Sequence, residues 1–240
     1  MINEHISTAY ARQNEIDLGL RDYMLKVYNY MAGGLAVTAL TVYLLISTGA
    51  IMSFFTISES SASLSVLGWV ALLAPLAMVL YFGHAVARGS LAQVKTVFWL
   101  YSALMGASIA PIMLVYTGES ITRVFLITAA MFGGMSIYGY TTKRDLTSMG
   151  SFLFMGLIGL IVASIVNIFW ASSALYFAVS VAGVAIFVGL TAYDVQKIRN
   201  MYVENNEDLA GRAAVSGALN LYMDFINLFL YLLRLLGNRR

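Results

Sequence analysis

Five polar side chains recur along one apolar stretch near the C-terminus: Ser216, Asn220, Asp224, Asn227 and Arg234. Their spacing puts all five on one face of a helix, opposite a face of Leu, Ile, Phe and Met. Lipid cannot satisfy such a stripe, so it has to face a bundle interior or a water path. Asp224 stands 11 residues past Ala213, about 16 Å along a helix at 1.5 Å per residue. That is near the middle of a hydrocarbon core of about 30 Å. A carboxylate at that depth costs about 2.5–3.5 kcal/mol, which something must offset. Asp224 reads either as a neutral, hydrogen-bonded packing residue or as an ion or proton site, and the second is the expectation.

A second acid, Asp194, closes the preceding apolar run in Ala192-Tyr193-Asp194-Val195-Gln196-Lys197-Ile198. Alone it reads equally well as an interfacial acid paired with Lys197. Consecutive antiparallel helices would let Asp194 meet Asp224 if the last helix is deeply set. Two carboxylates in contact cannot easily both ionise and titrate as a unit. Such a pair is a proton sensor and an oxygen site for a hard cation. Arg88 ends an earlier apolar run on the same side. Side-chain physics alone favours its snorkelling to headgroups over its reaching the acids. His84 and His5 are the two histidines and there is no cysteine, so no histidine or cysteine metal cluster is expected.

These residues need membrane helices to position them. Hydrophobic residues make up 60% of the 240 and charged residues 11%, where soluble domains carry about a quarter. Apolar stretches lie near 27–47, 64–87, 97–116, 121–140, 150–170, 173–193 and 213–237, each near the ~20 residues a span needs. The expected fold is all-α, with seven transmembrane helices in one domain over 23–240 and a cytoplasmic tail over 1–22. A net charge of +2 gives no reason to expect a nucleic-acid partner.

Lys and Arg concentrate in the N-terminal segment (Arg12, Arg21, Lys26) and in alternate connections (Arg88, Lys95; Lys143, Arg144; Lys197, Arg199, Arg212). The positive-inside rule then places the N-terminus in the cytoplasm. Arg234, Arg239 and Arg240 conflict with this if helix seven crosses fully, and a re-entrant or shallow helix seven would remove the conflict.

The run Leu221-Tyr222-Met223-Asp224-Phe225-Ile226-Asn227-Leu228-Phe229 followed by Leu232-Leu233-Arg234 resembles the transmembrane Bax inhibitor motif family. The Ala192–Ile198 run is similar to that family's other signature, and the likeness covers nearly the whole chain. The resemblance implies six helices surrounding a central C-terminal helix. It also implies a pH-sensitive calcium leak gated by an aspartate pair, here Asp194 and Asp224. In bacterial relatives an arginine of helix two latches to the pair. Counting back from Pro111 in Ser108-Ile109-Ala110-Pro111-Ile112 places Arg88 there, which reverses the snorkelling preference. Arg234 falls where the family has a helix-seven arginine. An acid that some leak-competent relatives carry in helix two is Ala77 here, which puts the outer part of a calcium path in question.

The expectation is therefore a cation leak channel of a bacterial inner membrane, with Ca²⁺ and H⁺ as permeant or regulatory ions, no cofactor and no enzymatic activity. A non-conducting scaffold that binds membrane proteins such as a quality-control protease is the alternative. A proton-coupled transporter is third. A retinal protein would need a lysine in helix seven and an intramembrane protease a Ser–His pair or a Gly-Asp motif; neither is present.

Overall fold

The computed structural model describes the backbone of residues 2–58, 61–203 and 206–240, and side chains from residue 18 onward except 57–62, 204 and 205. Arg12 and His5, read above as tail residues, lie outside the described side chains. Helix α1 runs Ile2–Ser47, followed by a 3-10 turn (Ala50–Phe54) and a hairpin of β1 (Phe55–Ser58) and β2 (Ser61–Leu64). Then come α2 (Val66–Arg88), α3 (Leu91–Val115), α4 (Gly118–Thr141), α5 (Thr147–Trp170), α6 (Ser173–Asn200) and α7 (Glu207–Leu236). All seven helices are long and apolar enough to cross a membrane. The chain is a multi-pass α-helical membrane protein. The segment 1–22 expected as a tail is helical from Ile2 onward and continuous with the first span.

Local chemistry sets where the helices begin. Ser65, Ser90, Thr117, Ser172 and Asn206 each precede a helix, and each side-chain oxygen accepts from the backbone N–H three residues on. That satisfies one of the donors every helix start leaves open. At α3 the cap is reciprocal, because Gln93 Oε1 accepts from Ser90 N at 2.9 Å. Between α5 and α6 the chain reverses within two residues, with Ala171 in the left-handed region at φ 47°.

Helix α7 packs against α1, α3, α4 and α6 and touches α2, while α5 stacks on α6. Small residues allow the closest approaches, as is usual where helices associate in lipid. A Cβ on Gly139 of α4 would strike the backbone carbonyl of Ala192 on α6. A Cβ on Gly217 would press on Ile198 Cγ2 at 2.9 Å.

The depth of α7 is fixed at both ends. Near its start, Arg212 reaches the α2–α3 connection. Past its end, Thr117 N donates to Asn238 O at 3.0 Å and Arg240 N to Val115 O at 2.9 Å. These segments flank the two ends of α3, itself a complete span, so α7 crosses the full bundle. The shallow or re-entrant helix seven considered from sequence is not what forms, and Arg234, Arg239 and Arg240 lie at the end opposite Arg212.

Candidate functional site

Asp194 and Asp224 meet. Their side chains face each other at the α6–α7 contact. Asp224 is only 5% exposed, and its Oδ2 has no hydrogen-bond partner among the described residues. Asp194 is half-buried. The reason they meet is in the helices. Ile198 of α6 sits in the notch left by Gly217, and Asp194 stands one turn deeper than Ile198, on the side of the deeper α7 residues. Lys197, the alternative partner for Asp194, forms no salt bridge with it among the described residues. Its ammonium instead lies 5.9 Å from the Tyr193 ring centroid.

The end of α6 that carries Asp194 is held from the other side as well. Gln196, buried, donates from Nε2 to Arg144 O at 2.8 Å and accepts from Leu146 N at 2.8 Å. Arg199 donates to Tyr140 O. Gln196 fastens α6 to the α4–α5 connection and Arg199 to the end of α4, while Thr191 on the same helix donates to its own Phe187 O at 2.8 Å. On α7 the turn just before Asp224 is fixed by Tyr222, which is fully buried. Its hydroxyl lies 2.6 Å from Thr38 Oγ1, which in turn donates toward Ser102 O at 2.8 Å. One polar network therefore ties α1, α3 and α7 together at the depth of the pair.

The remaining stripe residues share the α6-facing side of α7 but differ in what they touch. Ser216 and Asn220 are half-buried and make no side-chain hydrogen bond among the described residues. Asn227 donates to Met223 O of its own helix at 2.9 Å. Arg234 is exposed; its guanidinium lies 5.2 Å from the Tyr231 ring centroid and 6.0 Å from that of Tyr176 on α6. Arg88 is exposed at the end of α2 and makes no salt bridge or hydrogen bond among the described residues. The structure thus joins the two aspartates and leaves Arg88 apart from them. Among the described residues no three Asp, Glu or His side chains converge as a metal-holding group.

The model of a family described as inhibitor of apoptosis-promoting Bax1 matches residues 20–240. The chain belongs to the Bax inhibitor-1 family. It is 44% identical over 225 residues to the inner membrane protein YbhL of Escherichia coli K12, covering 92% of this chain and 94% of YbhL. A protein of Caulobacter vibrioides is 45% identical over 229 residues, 94% of this chain and 92% of that one. YrjE of Lactococcus lactis is 40% identical over 220 residues, 91% and 92% of the two chains.

Within this family member, reading the sequence overlooked Arg212 as more than a topology marker. Its NH1 donates to Val86 O and Gly89 O, both at 3.3 Å. Its Nε lies 3.0 Å from Asp208 Oδ2, close enough to ion-pair though not aligned as a hydrogen bond. A guanidinium on the last carbonyls of α2 also meets the negative end of that helix dipole. Its partners are backbone atoms, so no residue pattern announces the contact.

Proposed function

We propose that this protein is a pH-sensitive calcium (cation) leak channel whose gate is the Asp194–Asp224 pair. The observation that carries the reading is a pair of facing carboxylates within a span, one of them almost fully enclosed and, among the described residues, with an unpartnered oxygen. Two such carboxylates hold a proton between them and exchange it as a unit. In its deprotonated state the pair offers hard oxygen ligands to Ca²⁺. Two carboxylates are far fewer than the 6–8 oxygens of a resident calcium site, which suits an ion in passage.

Arg88 takes the role of the latch. Its guanidinium stands exposed at the end of α2, so this arrangement corresponds to the unlatched state. Swinging onto the ionised pair would close the mouth at the end of the bundle that carries Arg88 and Arg212. Protonation of the pair would weaken that attraction. Ser216 and Asn220, half-buried and without hydrogen-bond partners among the described residues, line the approach from that end.

The mouth faces the cytoplasm of a bacterial cell, with the protein in the inner membrane as YbhL is in Escherichia coli. Arg21, Lys26, Arg88, Lys95, Lys143, Arg144, Lys197, Arg199 and Arg212 gather at that end, and Arg123, Arg234, Arg239 and Arg240 at the other. The larger set marks the inside.

Calcium flux into liposomes holding purified protein, read from about pH 5.5 to about pH 8, tests the reading, because a coupled pair takes up and releases its protons as a unit. Wild-type flux should depend on pH, and Asp224→Asn should change that dependence. Flux equal to that of empty liposomes, from protein with native thermal unfolding, would sink the channel reading and bring forward the alternative of a scaffold for membrane proteins.

A further inference from the structure

At the far end of α7 from the aspartates, a cavity of about 470 Å³ opens between α3, α5, α6 and α7. Its walls are apolar, from Ile112, Val115, Val179, Leu230 and Leu233. Its rim is cationic and polar. Arg234 lines it, stacked over Tyr176 and Tyr231. Arg239 bridges through its backbone to Tyr116, which lines the cavity together with Tyr176. Among the described residues neither arginine has an acidic partner. Asn167, on the same rim, spends its Oδ1 on Ser172 N at 3.0 Å, so its amide NH₂ remains a donor.

Two features set the depth and direction of the opening. Ile168 lines the cavity yet is 76% exposed, so the cavity opens sideways, toward lipid. The adjoining Phe169 and Trp170 are exposed at the end of α5, and tryptophans concentrate where hydrocarbon meets headgroup. The rim arginines therefore sit at phosphate level, with an apolar slot running inward from them. Guanidinium groups recognise phosphate through paired N–H donors.

We infer that this cavity binds one anionic phospholipid, its phosphate held by Arg234, Arg239 and the Asn167 amide and one alkyl chain laid in the slot between α3 and α5. The tyrosines under Arg234 keep the guanidinium at the rim, which lowers the entropy cost of capture. Free phosphate would use the rim and leave the slot empty. The slot therefore points to a lipid.

Native mass spectrometry of the purified full-length protein in mild detergent, titrated with phosphatidylglycerol, tests this. One tightly held lipid is expected, in preference to phosphatidylcholine and not displaced by excess inorganic phosphate. Arg234→Gln or Arg239→Gln should weaken retention about five-fold each, and the pair together roughly 25-fold, on the scale of one basic residue at an anionic surface. Ile168→Trp should fill the slot and weaken retention with both charges in place. Unchanged retention in the double arginine variant would overturn the assignment, provided its thermal unfolding matches wild type. Equal retention of the two lipids, or loss of the lipid to inorganic phosphate, would also overturn it.

Discussion

Helices α5 and α7 are both spans, yet they are built on opposite plans. In its most apolar window α5 has 6% of residues buried in the protein, and α7 has 56%. The more apolar helix is the less enclosed one, because lipid and protein interior are equally dry and only polarity has to be hidden. Phe152, Phe154 and Met155 of α5 are exposed to the bilayer, whereas Leu221, Tyr222 and Leu228 of α7 are fully enclosed. Hydrophobicity therefore marks what faces lipid, and the polar stripe marks what the bundle exists to position.

Truncating a side chain on each helix breaks or upholds this contrast most sharply. Tyr222→Ala empties an enclosed site and should cost about 3–5 kcal/mol, read by reversible unfolding in bicelles. Phe154→Ala on α5 should stay within about 0.5 kcal/mol. Equal losses would mean that α5 is held by packing that the bundle does not show.

Glycines give a matched pair with a smaller effect. Gly139→Val drives a side chain into the Ala192 backbone and should destabilise by about 1–3 kcal/mol. Gly159→Val on α5 meets nothing within 4 Å and should leave the unfolding temperature unchanged.

Removing one hydroxyl comes next. Tyr222→Phe deletes the bond to Thr38 and should cost about 0.6 kcal/mol, the average for bonds between membrane helices. Ser164→Ala on α5 removes a bond to Leu160 O of its own helix, and a smaller change is expected there.

The smallest effect concerns how α5 begins. Asp145, fully exposed, accepts from the Thr147 hydroxyl at 2.6 Å and from Thr147 N at 2.9 Å. Those bonds hold its carboxyl below the ordinary value of 3.8. The lowering means the contribution is complete above that value and fades as pH falls through the folded one. An NMR titration of the Asp145 carboxyl should show this depressed midpoint, and Thr147→Val should return it toward 3.8.

Much of this was legible in the residues. Long apolar runs disclose spans whatever their neighbours, so seven helices could be read directly. Their ends could not, because polar turns such as Tyr193–Asn200 and Glu207–Arg212 continue a helix beyond the apolar run. The meeting of Asp194 and Asp224 followed from antiparallel succession and a stripe with no other place to go. Arg234 was read as part of an inward stripe, yet its long stem carries the charge out to the rim. Arg212 was read only for topology because its partners are carbonyls, and carbonyls have no letter. The hairpin Phe55–Leu64 lies in a connection whose Ser-rich composition carries little strand signal.

The central claim is that Asp194 and Asp224 act as one titrating unit at the gate. A double-mutant cycle on the pH profile of calcium flux tests it most directly, with Asp194→Asn, Asp224→Asn and the double variant in liposomes. A coupled pair predicts that either single change alters the profile and that the second adds little to the first. Independent, additive shifts from two well-folded single variants would contradict the pair and leave two separate carboxylates in its place.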